Sequence, residues 1–432
     1  MRSKAFFVNG GAGRVICSIP AFEKYAETHD DFVIVAEGGT DFFKGHPTLD
    51  GKVFDNWHKG LFEQELKHRD IVSTEPYRVW EYYNQECSLA QAYDIQINEL
   101  DGPRELPAPT VVLSKMEVVN GFNAIEEVKQ GTGKDKVLVV QPFGRSVETV
   151  GNDFIADATS RSFSLNNIVN IINDLKKDYS VIIMSELQFP LEENEEKAKY
   201  KVARPQIQEQ RMWASIINSA DHFLGCDSMG QHLAKAFGKT ATVVTGSTYP
   251  INISYPEDKD FDIIDAGLDR RKYSPIRLTM SEDIDRYNDQ AMELSKDQEK
   301  QITASVRKRM GKGTAYTNYV APTKNTAPAL TSSNYANPAL SASPQIKKPT
   351  KGFLSEVKTA SHADNEWFSY YIKVDDKKVT IKVNDEIVNE FTEPADTDGP
   401  ASLHRGTIGF ESIGSDSRVQ FRNPRIRLLP DR

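Results

Sequence analysis

Cysteine is scarce in this sequence, and long apolar runs are absent from it. The three cysteines, Cys17, Cys87 and Cys226, lie far apart and form no Cys-x-x-Cys pair. This spacing excludes a disulfide framework and a zinc site and is typical of reduced intracellular thiols. No apolar run approaches the roughly 20 residues that a transmembrane helix needs, and residues 1–4 show no signal peptide. We therefore expect a cytoplasmic protein without a transmembrane segment.

The chain also lacks the basic excess that is typical of nucleic-acid-binding proteins. Its 53 Lys and Arg residues are outnumbered by 62 Asp and Glu residues, which gives a net charge of -9. That balance argues against general nucleic-acid binding. Hydrophobic residues make up 39% of the 432 residues and charged residues 27%, as in soluble globular proteins. The length predicts two to four domains.

A third absence marks a domain boundary, because residues 311–352 contain no acidic side chain. Ala, Pro, Ser, Thr and Asn dominate there, which predicts a linker over 311–352. Residues 353–432 then alternate apolar and polar side chains, as in 367–374 and 378–384. This pattern predicts a small antiparallel module, part of a β-sandwich, whose apolar face must be covered by the rest of the chain or by another subunit.

Before residue 311, short apolar runs alternate with amphipathic stretches, which is the pattern of βαβ units with parallel sheets. The predicted strands cover residues 5–8, 32–36, 111–113, 137–140, 181–184, 222–226 and 241–244; the predicted helices cover 15–28, 165–177 and 208–219. We therefore expect an α/β fold with two doubly wound, Rossmann-like domains over 1–130 and 131–310. Ligands of such sheets bind beyond the carboxyl ends of the strands.

The strongest local signal is a strand that ends in Asp227 and Ser228 and turns through Gly230 into a helix. Free N–H groups at a helix start attract phosphate. Ser228 can donate to a phosphate oxygen, His232 is expected one turn further in and facing the same cleft, and Asp227 can accept from a ribose hydroxyl. The alternative is that Asp227 or Ser228 only caps the helix and that His232 is a partly buried helix residue.

These residues resemble the Asp-Ser/Thr-Gly-x-x-His motif of glycosyltransferase family 9, the ADP-heptose:lipopolysaccharide heptosyltransferases. Within this motif, Met229 stands where the family has Gly. Further along the chain, residues 243–250 resemble the strand and the Phe-Gly-x-Thr-x-Pro loop of that family. The resemblance runs over residues 1 to about 310. It implies a GT-B fold, and it implies that Asp227, Ser228, Gly230 and His232 hold the diphosphate and ribose of a nucleotide-sugar donor.

Two arginines extend the resemblance. Residues 137–146 resemble a family strand with a Pro-Gly-x-x loop, which would place Arg145 and Ser146 at the donor phosphates. Residues 161–164 resemble the family's Lys-x-Trp-Pro, whose Lys contacts the pyrophosphate; Arg161 keeps that charge, and a guanidinium can grip phosphate with two bonds. For each arginine taken alone, the alternative is a solvated surface charge.

The first domain departs from the family in one residue. Residues 11–20 resemble its Gly-Asp-x-x-x-Thr-x-Pro loop, whose Asp is the proposed general base, but that position is Arg14 here. An arginine stays protonated and cannot be a base. Gly11, Gly13 and Arg14 are thus expected to form an acceptor-side loop. Either another carboxylate, with Glu37 or Asp41 as candidates, supplies the base, or the protein binds without transferring.

The C-terminal segment resembles the second half of the 3-keto-disaccharide hydrolase family, a concanavalin-like sandwich. The resemblance rests on residues 365–367, Val383 and Asn384, residues 406–409 and residues 421–423. Because only about 80 residues resemble the family, we expect a carbohydrate-binding, assembly or purely structural module rather than a hydrolase.

The whole sequence thus predicts a glycosyltransferase that moves a sugar from a nucleotide-activated donor, such as one like ADP-heptose, to a glycan or lipopolysaccharide-like acceptor. We expect neither a metal nor a cofactor, because no Asp-x-Asp motif follows a strand in the transferase part. The alternative is a non-catalytic structural or glycan-binding protein on a transferase scaffold, such as a phage particle component located in the virion. In either case the C-terminal module can mediate a homo-oligomer or a larger assembly.

Overall fold

The computed structural model describes residues 2–145, 147–150, 154–157, 159–268, 291–317, 369–375 and 378–392. The chain divides into two compact units, Met1–Tyr335 and Ala336–Arg432. Ser146, most of the predicted linker and the strands predicted after residue 400 lie outside the described residues. No helix in the described ranges is long and apolar enough to cross a membrane.

A parallel sheet of four strands forms the first part of the chain. Its strands are β1 (Lys4–Val8), β2 (Phe32–Ala36), β3 (Val53–Asp55) and β4 (Asp70–Ser73). The helices up to the second sheet are α1 (Ala12–Ala26), α2 (Trp80–Tyr83), α3 (Leu89–Asn98) and α4 (Lys115–Thr132). All five residues of β2 are buried, as expected of a parallel strand that is covered on both faces.

The strand order of the first sheet is β3-β2-β1-β4. The chain therefore winds outward from β1 to β3 and then returns to the other side of β1 to form β4. This reversal creates a crevice at the carboxyl ends of β1 and β4, and ligands of doubly wound sheets bind at such switch points. Residues 9–14 follow β1 at this crevice, and Thr74 and Glu75 follow β4.

A second parallel sheet of five strands follows in the order β11-β10-β9-β5-β8. Its elements are β5 (Val137–Gln141), an antiparallel hairpin of β6 (Val147–Val150) and β7 (Phe154–Asp157), α5 (Leu165–Leu175), β8 (Ser180–Ile183), α6 (Gln210–Ser219), β9 (His222–Cys226), α7 (Met229–Ala236), β10 (Ala241–Thr245), α8 (Pro250–Ile253), β11 (Phe261–Asp265) and α9 (Lys296–Met310). The reversal lies between β5 and β9, so the segments after these two strands meet at the second switch point.

The apolar core lies on both faces of this second sheet. Alternate residues of β5 point to opposite sides: Val137 and Val139 join one cluster, whereas Leu138 and Val140 join the other. The amphipathic faces of α5 and α6 are buried against these clusters, with Ile168, Ile171, Ile172 and Leu175 on α5 and Trp213, Ile216, Ile217 and Ala220 at α6. Each such side chain contributes on the order of 1.5–3 kcal/mol on burial. The apolar side chains whose spacing predicted these helices therefore also stabilise them.

The C-terminal unit contains an antiparallel meander of three described strands. They are β12 (Tyr370–Asp375), β13 (Lys378–Val383) and β14 (Glu386–Thr392). Asn384 and Asp385 join β13 to β14, and both have positive φ, at 48° and 66°. A two-residue loop with this backbone is a favoured hairpin connection, so a hairpin at Val383 and Asn384 is confirmed.

The predicted α/β fold class is confirmed, with two Rossmann-like parallel sheets and a small antiparallel sheet. One predicted strand is wrong, because residues 111–113 form no strand. The carbonyl of Val112 instead accepts a 2.7 Å hydrogen bond from Arg211, and the side chain of Ser114 caps α4 directly afterwards. The domain limits at 130 and 310 stay a prediction.

Candidate active site

The switch-point segments of the two sheets lie near one another, because α1 packs against α7. A Cβ atom on Gly13 would lie 3.2 Å from Cδ2 of His232, and Sγ of Cys17 is 3.5 Å from Nδ1 of His232. Similarly, a Cβ atom on Gly11 would lie 3.8 Å from Nη1 of Arg145. The residues expected on the acceptor side and those expected on the donor side therefore lie next to one another.

Gln141, the last residue of β5, organises the start of α7. Its Nε2 donates to Oγ of Ser228 at 3.0 Å, and its Oε1 accepts from the N–H of Gly230 at 2.9 Å. The N–H of Gly230 is thus already bonded, contrary to the expectation that the N–H groups of this helix start are free. Gly230 is required by space, because a Cβ there would lie 2.4 Å from Cε2 of the buried Phe223 ring and 2.5 Å from Oε1 of Gln141.

Asp227 is fully buried beside this helix start, at 2% exposure. Its carboxylate accepts from Nε2 of Gln231 at 2.8 Å and from Oγ1 of Thr248 at 3.1 Å, and it lies 3.7 Å from Nη1 of Arg161. Burial raises the pKa of Asp227, although Arg161 and the two hydrogen bonds work in the opposite direction. Asp227 does not cap α7, because the N-cap residue is Ser228.

Arg161 is held beside Asp227 by a second buried carboxylate, that of Asp157 at the end of β7. Asp157 accepts from the backbone N–H groups of Arg161 at 3.2 Å and of Ser162 at 2.8 Å. Burial alone would raise the pKa of Asp157, but the hydrogen bonds from Ser162 and Thr159 outweigh it and lower the pKa. Ser162 also accepts from the N–H of Gly144, which ties the loop that carries Arg145 to the loop that carries Arg161.

His232 is buried between the two halves of this unit, at 3% exposure. Its Nδ1 lies 2.8 Å from the hydroxyl of Tyr255. Burial, with the nearby charge of Arg161, lowers the pKa of His232 to about 3. The imidazole is therefore neutral at ordinary pH, and its environment is that of a buried helix residue at the junction of α1 and α7.

Arg14, on the acceptor side, is folded back against its own loop. Its Cζ lies 4.6 Å from the centroid of the Tyr77 ring, and its Nη2 lies 3.9 Å from Oε1 of Glu75. A Cβ atom on Gly10 would lie 2.6 Å from Cδ of Arg14. Burial works to lower the pKa of Arg14, but Tyr77, Tyr93 and Glu75 raise it above its ordinary value. Arg14 therefore stays a cation.

The two carboxylates that the sequence suggested as bases are both exposed. Glu37 accepts a hydrogen bond from the N–H of Gly10, which fixes the loop after β1. Asp41 forms an ion pair with Lys44, and its side chain is 54% exposed. Arg145 is also exposed. Within the described residues, no group of His, Cys, Asp and Glu is arranged to hold a metal ion.

An open cavity of about 450 Å³ adjoins this site without containing the predicted donor residues. It is lined by Gln85, Tyr249, Pro250, Ile251, Pro256, Glu257, Asp265 and Leu268. Tyr249 directly follows Thr248, whose hydroxyl donates to the buried carboxylate of Asp227. The cavity is therefore adjacent to a residue that contacts Asp227.

Solved structures provide the first comparison. The protein described as glycosyl transferase family 9 from Veillonella parvula DSM 2008 is 11% identical to this chain, with a TM-score of 0.48, covering 71% of this chain and 97% of its own. E. coli ADP-heptose lps heptosyltransferase II is 10% identical, with a TM-score of 0.47 and coverages of 71% and 98%. E. coli heptosyltransferase WaaC with ADP is 12% identical, with a TM-score of 0.39 and coverages of 61% and 93%.

The C-terminal part of the chain matches a different family. Residues 286–427 match the family model of the 3-keto-alpha-glucoside-1,2-lyase-like domain. The matched range begins before α9, whose Ile302, Val306 and Met310 are buried in the core of the second parallel sheet, so it extends beyond the C-terminal unit. A comparison with curated proteins gives no match.

Proposed function

We propose that the protein is a glycosyltransferase that moves a sugar from a nucleotide-activated donor, with a donor like ADP-heptose as the first candidate and a glycan as the acceptor. One observation carries the proposal: Arg161, Asp227 and Ser228 converge at the β5/β9 switch point. The loop at the switch point of the other sheet lies beside them. Two neighbouring switch points, each suited to a ligand, support a reaction between two substrates.

The donor side has the charge that a nucleoside diphosphate needs. Arg161 is a cation beside the N-terminal end of α7, whose dipole favours an anion. Asp227 accepts two hydrogen bonds and pairs with Arg161, and a carboxylate offers about four lone-pair sites. A ribose hydroxyl can donate to a lone pair that remains. Ser228 can turn its hydroxyl hydrogen to a phosphate oxygen, because its Oγ accepts from Gln141.

The chemistry follows from these charges. An acceptor hydroxyl attacks the anomeric carbon, and the bond from that carbon to the diphosphate oxygen breaks. The electron pair leaves with the diphosphate, whose growing negative charge is stabilised by Arg161, by Arg145 and by the helix terminus.

Calorimetry against a panel of nucleoside diphosphates and nucleotide sugars tests the donor site. We expect Arg161→Ala to weaken the binding of the best ligand more than tenfold, which is about 1.4 kcal/mol. Arg69→Ala is the matched control, because Arg69 pairs with Asp31 on the surface of the first sheet. Failure of every nucleotide to bind the wild-type chain, or equal affinity in Arg161→Ala, would contradict the proposal.

A further inference from the structure

We propose that Glu75 is the general base of the transfer reaction, held in place beside Arg14. This inference rests on the glycosyltransferase function proposed above. It assigns the missing base to a residue at the end of β4, whereas the sequence had suggested residues that follow β1 and β2.

Glu75 occupies the switch point of the first sheet. It follows β4, the neighbour of β1, and faces Arg14 in the first turn of α1. Gln96 on α3 holds its backbone from both sides: the N–H of Glu75 donates to Oε1 of Gln96 at 2.8 Å, and its carbonyl accepts from Nε2 at 3.0 Å. The carboxylate is thus carried by a fixed backbone, as a catalytic group requires.

The other carboxylates near the carboxyl edge of this sheet already form hydrogen bonds or ion pairs with nearby residues. Glu37 binds the N–H of Gly10, Asp41 pairs with Lys44, and Asp55 accepts from the N–H of Trp57. All three are exposed to solvent. Glu75 differs from them, because its side chain is only 14% exposed.

Arg14 and Glu75 lie side by side, and buried polar atoms of both lack hydrogen-bond partners within the described residues. These atoms are Oε1 of Glu75 and Nε and Nη2 of Arg14, and the hydroxyl of Tyr93 interacts with the same guanidinium. Such groups are rare in proteins and call for an explanation. The set contains both donors and acceptors. A hydroxyl group, which donates one hydrogen bond and accepts others, satisfies both kinds.

The proton balance of the reaction can be written with these groups. The carboxylate of Glu75 takes the proton of the acceptor hydroxyl as its oxygen forms the bond to the anomeric carbon. The bond to the diphosphate breaks, its electron pair leaves with the nucleoside diphosphate, and Glu75 ends as a neutral carboxylic acid. Arg14 keeps its proton throughout and orients the carboxylate of Glu75.

The experiment measures release of nucleoside diphosphate from the nucleotide sugar that binds best, with a panel of glycan acceptors and with water. We expect Glu75→Gln to lower kcat more than 100-fold while the affinity for the nucleoside diphosphate stays within twofold. Adding formate to Glu75→Ala should restore turnover, because a free carboxylate can replace the lost base. Arg14→Asp in the Glu75→Gln background should also restore part of kcat. Asp55→Asn is the matched control, with kcat within threefold of wild type.

The possible outcomes distinguish the role of Glu75 from the glycosyltransferase function. Turnover by the wild type with full kcat in Glu75→Gln overturns the assignment of the base and leaves the glycosyltransferase function standing. Absence of turnover by the wild type overturns the function, and the base with it. A folded Glu75→Ala that loses turnover but gains nothing from formate makes Glu75 a positioning residue. If these variants do not fold, the wild-type pH profile decides, because a base requires kcat/KM to fall with a slope of one on the acid side.

Discussion

At the scale of single residues, the site is built from polar side chains whose partners lie far away in the sequence. Gln141 bonds to Ser228 and to Gly230 across 87 and 89 residues. Asp227 receives Arg161 from a preceding loop and Thr248 from a following one. Each strand end therefore acquires its chemistry only when the strands are laid side by side. Two histidines, His222 and His232, are likewise buried only in the assembled fold.

Those histidines predict how stability depends on pH. Burial lowers the pKa of His222 and of His232 to about 3, from an ordinary value of 6.5. Between these pH values the unfolded chain binds the protons and the native chain does not, so the free energy of unfolding falls as pH drops below about 6.5. The slope is about 1.4 kcal/mol per pH unit for each histidine at most.

Chemical denaturation of the full chain between pH 4 and 8, a range set by those two values, measures this slope. His232→Gln should remove one histidine's share of it. His58→Gln should leave the slope unchanged, because His58 is exposed. An identical slope in wild type and His232→Gln would contradict the prediction.

At the scale of elements, α4 packs closely against α6. Gly121 on α4 makes it: a Cβ atom there would lie 2.4 Å from the backbone oxygen of Ser215 on α6. Arg211, also on α6, donates to the carboxylate of Glu117 on α4 at 2.8 Å. That pair helps to lower the pKa of Glu117 to about 2, in spite of its partial burial. Close approach and charge together fix α4, the helix that connects the two parallel sheets.

Gly121→Ala separates the two effects that act on a helical glycine. Helix propensity alone would favour Ala by about 1 kcal/mol. We expect a net loss of about 1–3 kcal/mol in the free energy of unfolding, because the backbone oxygen cannot move aside cheaply. Gly102→Ala is the control, since nothing lies within 4 Å of its added Cβ. A Gly121→Ala variant that is as stable as Gly102→Ala would show that the helix pair gives way.

At the scale of the whole molecule, the chain joins two parallel sheets to a segment that matches a separate domain family. In the described part of the C-terminal unit, three strands form one sheet in which Val383 and Val388 are buried, whereas Tyr371 is 49% exposed and Ile387 is 40% exposed. A single sheet of this size is a small core by itself.

We therefore predict that residues 353–432 do not fold alone. Expressed as a fragment, they should aggregate or show fast amide exchange along β12, β13 and β14. The same amides in the full chain provide the reference. A monomeric fragment that unfolds cooperatively would show that the module is self-sufficient and would favour an independent binding domain.

The sequence by itself determined the fold class, because period and strand-end chemistry are local properties. The apolar runs at 137–140 and 222–226 and the helical spacing of Ile168, Ile171, Ile172 and Leu175 predicted β5, β9 and α5 to within a few residues. Strands β3 and β4 were not predicted, since they have only three and four residues and are partly exposed. A local pattern also misassigned residues 111–113 as a strand, because the carbonyl of Val112 accepts a hydrogen bond from the distant Arg211.

Only the tertiary structure decided what surrounds each polar residue. The motif around Asp227 was visible in the sequence, but its contacts with Arg161 and Thr248 depend on the order of the strands. Gln141 is a polar residue at the end of an apolar run and could have been found by that signal. Glu75 had none, because β4 adds to the sheet beside β1 through the reversal in strand order. That reversal is a property of the assembled sheet, and it brings Glu75 to Arg14.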